Sequence, residues 1–113
     1  MARHSFVVFS DPMPGRETEY NDWYDTQHMP DVLKVPGFIA AQRFRLQGDG
    51  PGGCRYMAIY EIESDDIAAA MQELTSRAGT AAMPTSDALD VSRIQTFLAE
   101  ASGSRLVAEP SAI

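Results

Sequence analysis

The chain has 113 residues, a length that suits one domain with a modest core. Hydrophobic residues make up 44% and charged residues 22%, the balance of a soluble globular protein. A net charge of −7, with Arg and Lys scattered singly, argues against nucleic acid or an anionic membrane as the main partner.

Cys54 is the only cysteine, so no intrachain disulfide can form, and a reducing, cytoplasmic setting is expected. Near the amino terminus only Phe6 to Phe9 is an unbroken apolar run, too short for a signal-peptide core or a membrane helix. His4 and His28 form no HxxxH pair and have no second cysteine, so no metal site is expected. Gly48, Gly50, Gly52 and Gly53 lack the strand-then-helix context of a phosphate loop.

Taken in chain order, Ser5 to Ser10 (SFVVFS) is apolar and rich in β-formers and reads as a buried first strand. Asp11, Pro12, Pro14 and Gly15 break regular structure. A helix is expected from Gly15 or Arg16 to about His28, with Glu17 and Glu19 at the positive end of its dipole. Within it Tyr20, Trp23, Tyr24, Gln27 and His28 fall on one α-helical face, mostly aromatic and ending in an imidazole. Pro30 disturbs the turn carrying His28, a short turn of Asp31 to Val35 follows, and Pro36-Gly37 closes it.

Phe38 to Leu46 and Cys54 to Ile62 read as the second and third strands, joined by the glycine-rich hairpin Gln47 to Gly53. Ser64 is the expected N-cap of a helix over Asp65 to Arg77, with Ile67, Ala70, Met71 and Leu74 on its inner stripe. Gly79 to Asp87 is a connector, and Asp90 to Ala99 reads as a fourth strand, although a helix also fits its pattern. The order β-α-β-β-α-β predicts a ferredoxin-like α+β domain over residues 1–100, with a four-stranded antiparallel sheet. Residues 101–113 form a tail that a partner copy is expected to order. Helices on one face leave the other face of the sheet needing cover, and a second copy would provide it.

The run from Gly15 to Phe38, G-R-E-x-E-x-N-D-W-Y-D-x-x-H-M-P-D-V-L-x-V-P-G-F, with the Arg43/Arg45 strand after it, resembles the EthD-like branch of the dimeric α+β barrel superfamily. That resemblance implies two ferredoxin-like subunits whose sheets face each other, each with a pocket between its own sheet and helices. Members include cofactor-free polyketide cyclases, muconolactone isomerases, enzymes of aromatic pathways, quinone-forming monooxygenases and haem-binding proteins. The W-Y-x-x-H-x-P motif puts Trp23, Tyr24, His28 and Pro30 at its positions, and some cyclases place a histidine where His4 stands.

His28 is the leading candidate for a catalytic acid or base; its alternative is a helix-terminal side chain satisfying a carbonyl and packing on Tyr24. His4, a second catalytic candidate, shares a strand face with Phe6, Val8 and Ser10, so it either reaches the pocket end and pairs with His28 or frays at an exposed terminus. Tyr24 is a candidate hydrogen-bond donor, and Trp23, Phe6, Val8 and Tyr60 are candidate substrate contacts, each with a plain core role as the alternative. Arg43 and Arg45 either bind a substrate carboxylate or make surface or interface ion pairs, the latter being favoured. Asp22 and Asp25 read as a solvated face, and Cys54 as an inert small residue.

The expected function is a cofactor-independent enzyme performing acid–base chemistry (isomerase, dehydratase, cyclase or other lyase) on a small oxygenated aromatic or polyketide-like compound. The alternatives are a cofactor-free or haem-dependent monooxygenase of the same barrel type, or a non-catalytic small-molecule binding protein. A homodimer is the expected assembly.

Overall fold

The computed structural model describes residues 2–110. Four strands, β1 (Ala2–Ser10), β2 (Phe38–Arg45), β3 (Tyr56–Ser64) and β4 (Gln95–Glu100), form one sheet in the order β2-β3-β1-β4. Every neighbouring pair is antiparallel, which is the ferredoxin-like arrangement expected from the sequence. The helices are α1 (Glu17–Trp23), α2 (Met29–Val32) and α3 (Ile67–Arg77). None of the described helices is long and apolar enough to cross a membrane.

Strand alternation divides the sheet cleanly. His4, Phe6, Val8 and Ser10 of β1, and Tyr56, Ala58, Tyr60 and Ile62 of β3, point to the helices and are buried or half-buried. With Tyr20, Tyr24, Val32, Val35, Phe38, Ala70, Met83 and Ala88 they build the core. The opposite face carries Val7, Phe9, Met57, Ile59, Phe44 and Phe97, of which Phe44 and Phe97 are exposed.

Several boundaries depart from the sequence reading for local reasons. Strand β4 begins at Gln95 rather than Asp90, because Asp90 caps a single 3-10 turn (Val91–Arg93) by accepting from the Ser92 N–H. Helix α3 is capped by Asp66, whose Oδ1 accepts from the Ala69 N–H at 3.0 Å, while the expected cap Ser64 accepts instead from the Asp66 N–H. Cys54 precedes β3 rather than starting it; its Sγ donates to the Arg93 carbonyl at 3.2 Å. The hairpin tip bends through Gly52 and Gly53, both at positive φ, and a Cβ on Gly53 would lie 2.7 Å from the Arg93 guanidinium.

The largest departure lies between α1 and α2. The chain does not end its helix at His28; it continues through a π-helical turn, Tyr24–His28, straight into α2, with Pro30 in the first turn of α2. The Met29 N–H reaches back five residues to the Tyr24 carbonyl. Two residues favour that slip. Pro30 has no N–H to offer its helical partner, and the Thr26 hydroxyl donates to the Asp22 carbonyl at 2.6 Å, taking an acceptor that an α-helix reserves for the Thr26 N–H.

Arg43 locks this segment onto the sheet. Its side chain is only 12% exposed, donates to Asp25 Oδ1 at 2.9 Å and to Asn21 Oδ1 at 2.8 Å, and lies 4.4 Å from the Tyr24 ring centroid, with Tyr20 and Tyr56 each at 5.3 Å. The pair with Asp25 is the surface ion pair favoured for Arg43 from sequence; three ring faces and a neutral amide complete the surroundings of its guanidinium. Asp25 is exposed as expected, yet it is paired rather than merely solvated. Since the Asp25 end of the pair is wet, most of the gain comes from the rings and the packed stem. Arg43→Ala should therefore lower unfolding stability by about 2 kcal/mol, and Arg43→Lys by roughly half as much, in urea titrations.

Candidate functional site

A cavity of about 350 Å³ opens between the helix-facing side of the sheet and the helical layer. Phe6, Val8 and Ser10 of β1, Tyr60 of β3 and Thr96 of β4 form its floor, and Trp23, Tyr24 and His28 form one wall. The other wall comes from the end of α3 (Leu74, Thr75) and from the connector, including Met83, Thr85, Leu89, Val91 and Ile94.

The π-helical turn shapes the first wall. Trp23 and His28 are five residues apart, a spacing that turns side chains away from each other on an α-helix. Here their rings stack, with centroids 4.7 Å apart and planes 25° from parallel. Tyr24 meets His28 edge-on at 5.1 Å. On its far side Trp23 Nε1 donates to the Pro84 carbonyl at 3.2 Å, so the indole ties the wall of α1 to the connector.

The connector is itself pinned from behind. Asp11, 4% exposed, accepts the Arg55 N–H at 2.7 Å and pairs with Arg93 at 3.2 Å, and its carbonyl accepts the Asp90 N–H at 3.0 Å. The Met13 N–H bonds the Ala88 carbonyl at 2.6 Å.

The cavity's titratable groups are held in their neutral forms. Burial pushes the His28 imidazole down to about 4, against a smaller opposing pull from the Asp31 carboxylate. Asp31 is itself buried, accepts from Gln27 Nε2 at 2.5 Å, and faces Lys34 Nζ at 3.6 Å. Burial also raises Tyr24, with the neighbouring Tyr60 hydroxyl and, more weakly, Arg43 working in the other direction. Burial raises Tyr60 far above the usual phenol range, and the neighbouring Tyr24 adds to the effect. Behind them burial pushes Tyr20 up to about 12, although its hydroxyl shares a 2.6 Å hydrogen bond with Ser10. Two cavity residues keep a buried polar atom without a protein hydrogen-bond partner: Nδ1 of His28 and Oη of Tyr60.

Of the residues singled out from sequence, His28, Tyr24, Trp23, Phe6, Val8 and Tyr60 converge on this one cavity. His4 does not. It is 7% exposed, pairs across the sheet with Ile62 and Glu100, and so is not the frayed terminus considered from sequence, but it is not among the residues lining the cavity. Sequence reasoning missed the connector wall. Its only advance signal was Leu74 on the inner stripe of α3, since a loop carries no periodicity to mark its inward residues. Among the described residues no three His, Cys, Asp or Glu side chains gather in a way that would hold a metal ion.

The family described as "Domain of unknown function (DUF4286)" matches residues 8–85. No curated protein matches the chain. The structure is similar to that of an ethyl tert-butyl ether D (EthD) family protein from Bacillus halodurans C-125, with a TM-score of 0.49 and 16% identity over 90% of this chain and 100% of the other. It is also similar to a protein from Shewanella loihica PV-4 provisionally described as a monooxygenase, with a TM-score of 0.55 and 15% identity over 94% of this chain and 99% of the other. At this identity the Shewanella protein shows a shared fold, the ferredoxin-like arrangement that the order of the elements predicts.

The chain's single tryptophan lies against His28, so it can report that group's charge. Titration of Trp23 fluorescence in the folded protein should show a step near pH 4 rather than near 6.5, and His28→Gln should abolish it. Because the folded-state value is depressed, the unfolded chain binds the extra proton first as pH falls. His28 thus supports folding above about pH 6.5, and that support is lost between there and about pH 4. The urea midpoint of the parent should fall more steeply over this window than that of His28→Gln.

Proposed function

We propose, for a chain that belongs to the DUF4286 family, a cofactor-independent enzyme performing acid–base chemistry on a small oxygenated aromatic or polyketide-like compound. The observation that carries this reading is His28, neutral at physiological pH, in an apolar cavity with tyrosine hydroxyls. A neutral imidazole is the form that accepts a proton. A base this weak suits a carbon acid already activated by a ring carbonyl. The imidazolium formed on proton transfer would be opposed by burial and favoured by Asp31, which makes Asp31 a positioning residue. Tyr24 and Tyr60 stay protonated over the working range, so each can donate to the enolate oxygen that develops as His28 takes the proton. Isomerisation, dehydration, cyclisation and other lyase steps all begin this way. His4, outside the cavity lining, has no part in this scheme.

A cofactor-free monooxygenase is the second reading, favoured by the description of the Shewanella protein of the same fold. It uses the same first step, with dioxygen meeting the carbanion. We favour the cofactor-free form over a haem-dependent one because about 350 Å³ is small for the macrocycle and no Arg or Lys among the described residues lines the cavity to meet the propionates. We also propose that two copies pair through the helix-free sheet face, where Val7, Phe9, Met57, Ile59, Phe44 and Phe97 form an apolar field. The buried thiol of Cys54 suits a cytoplasmic setting.

With a turned-over substrate in hand, His28→Ala should cut kcat by a factor on the order of 100 or more while leaving ligand affinity within a few-fold. Unchanged kcat would remove the assignment, and oxygen uptake matching turnover would select the second reading. In light scattering at micromolar concentration the parent should have a dimer's mass and Phe97→Asp a monomer's.

A further inference from the structure

We propose that the cavity takes an uncharged ring ketone or quinone, its carbonyl oxygen accepting from Tyr60 Oη, and rejects carboxylates, phosphates and acyl thioesters of charged carriers. The inference rests on the reading of this cavity as a substrate site and adds the ligand's charge and its anchoring group.

The first argument is the cavity's inventory. Among the described residues every side chain lining it is apolar, aromatic, hydroxyl-bearing or the neutral His28; no Arg, Lys, Asp or Glu contributes to the surface. A carboxylate brought in from water would lose its hydration and meet no counter-charge. Arg43 does not supply one, since its guanidinium lies behind the Tyr24 ring, bonded to Asp25 and Asn21, and does not line the cavity.

The second argument is Tyr60. It is 1% exposed, at the centre of the sheet, and its Oη makes no well-formed hydrogen bond to a protein group, although the Tyr24 hydroxyl stands close enough to interact with it. A phenylalanine there would fill the same space without a stranded hydroxyl, and a stranded buried hydroxyl costs stability. A phenol held protonated is a permanent donor, which selects an acceptor without a charge, and a carbonyl is the simplest such group. The volume, near the low end of the roughly 300–1,000 Å³ common for small-molecule sites, limits the ligand to a small fused-ring system.

Calorimetric titration of the full chain with three probes on one carbon framework tests this: 1-tetralone, 1,2,3,4-tetrahydro-1-naphthoate and tetralin. At pH 7 the ketone should bind on the order of a hundredfold more tightly than the carboxylate and about tenfold more tightly than the hydrocarbon. Tyr60→Phe should erase the ketone's advantage over tetralin, leave tetralin's affinity unchanged, and melt no lower than the parent. A carboxylate that binds as well as the ketone, a ketone preference that survives Tyr60→Phe, or no binding of any probe would each overturn the proposal. If the ketone binds as expected but His28→Ala leaves turnover of the true substrate intact, the enzyme reading fails while the ligand assignment stands.

Discussion

The hydrogen bond from the Met29 N–H to the Tyr24 carbonyl, one residue longer in reach than an α-helical bond, is the constraint on which the cavity depends. It is what allows Trp23 and His28, five residues apart, to stack face to face. In a regular helix the same two rings would diverge, and the indole that now reaches the Pro84 carbonyl would not hold helix, imidazole and connector in one assembly. A π-helical turn has poorer hydrogen bonds than the α-helix it replaces, so it needs outside support. That support comes from both flanks: Arg43 grips Asn21 and Asp25, and Gln27 bonds the buried Asp31.

Charge is arranged in shells around that wall. The cavity surface is neutral, while a cation and an anion sit one layer behind it, Arg43 beneath the Tyr24 ring and Asp31 near His28. Each biases a neighbouring titratable group without entering the space a ligand would fill. Arg43 pulls Tyr24 down against its burial, and Asp31 pulls His28 up against its own. In both cases burial is the larger effect, so at neutral pH the groups remain a neutral base and a neutral acid. That combination is the one the proposed proton transfer needs.

The parts of this architecture legible in the sequence are those with a short repeat. Strand geometry splits SFVVFS and CRYMAIYEI into two faces, leaving open which of them meets the helices, and the aromatic stripe from Tyr20 to His28 marks the helix that packs on the sheet. The π-helical slip was out of reach because Pro30 reads equally as the end of a helix, and only the packed surroundings choose between stopping and slipping. For Arg43 the ion pair is legible in the sequence but the ring contacts are not: its three aromatic neighbours come from α1, the π-helical turn and β3, so nothing in its own strand announces them. The connector wall is assembled from Asp11, Met13 and Trp23 contacts across long stretches of chain, and such contacts leave no local pattern.

An unpaired buried polar atom does not by itself mark a site, and this chain carries its own control. His4 Nδ1 is as orphaned as His28 Nδ1 and Tyr60 Oη, yet His4 packs between Ile62 and Glu100 in the sheet and is not part of the cavity surface. What separates the other two is that both belong to one space large enough for a ligand. A hydroxyl and an imidazole left without protein partners on one cavity surface are a loss for folding and a gain for recognition. The sheet contributes Tyr60 and the π-helical turn contributes His28, so the groups a substrate would meet come from two different elements of the fold. On the proposed reading, the specificity of this cavity follows from the polar groups that the fold leaves without partners.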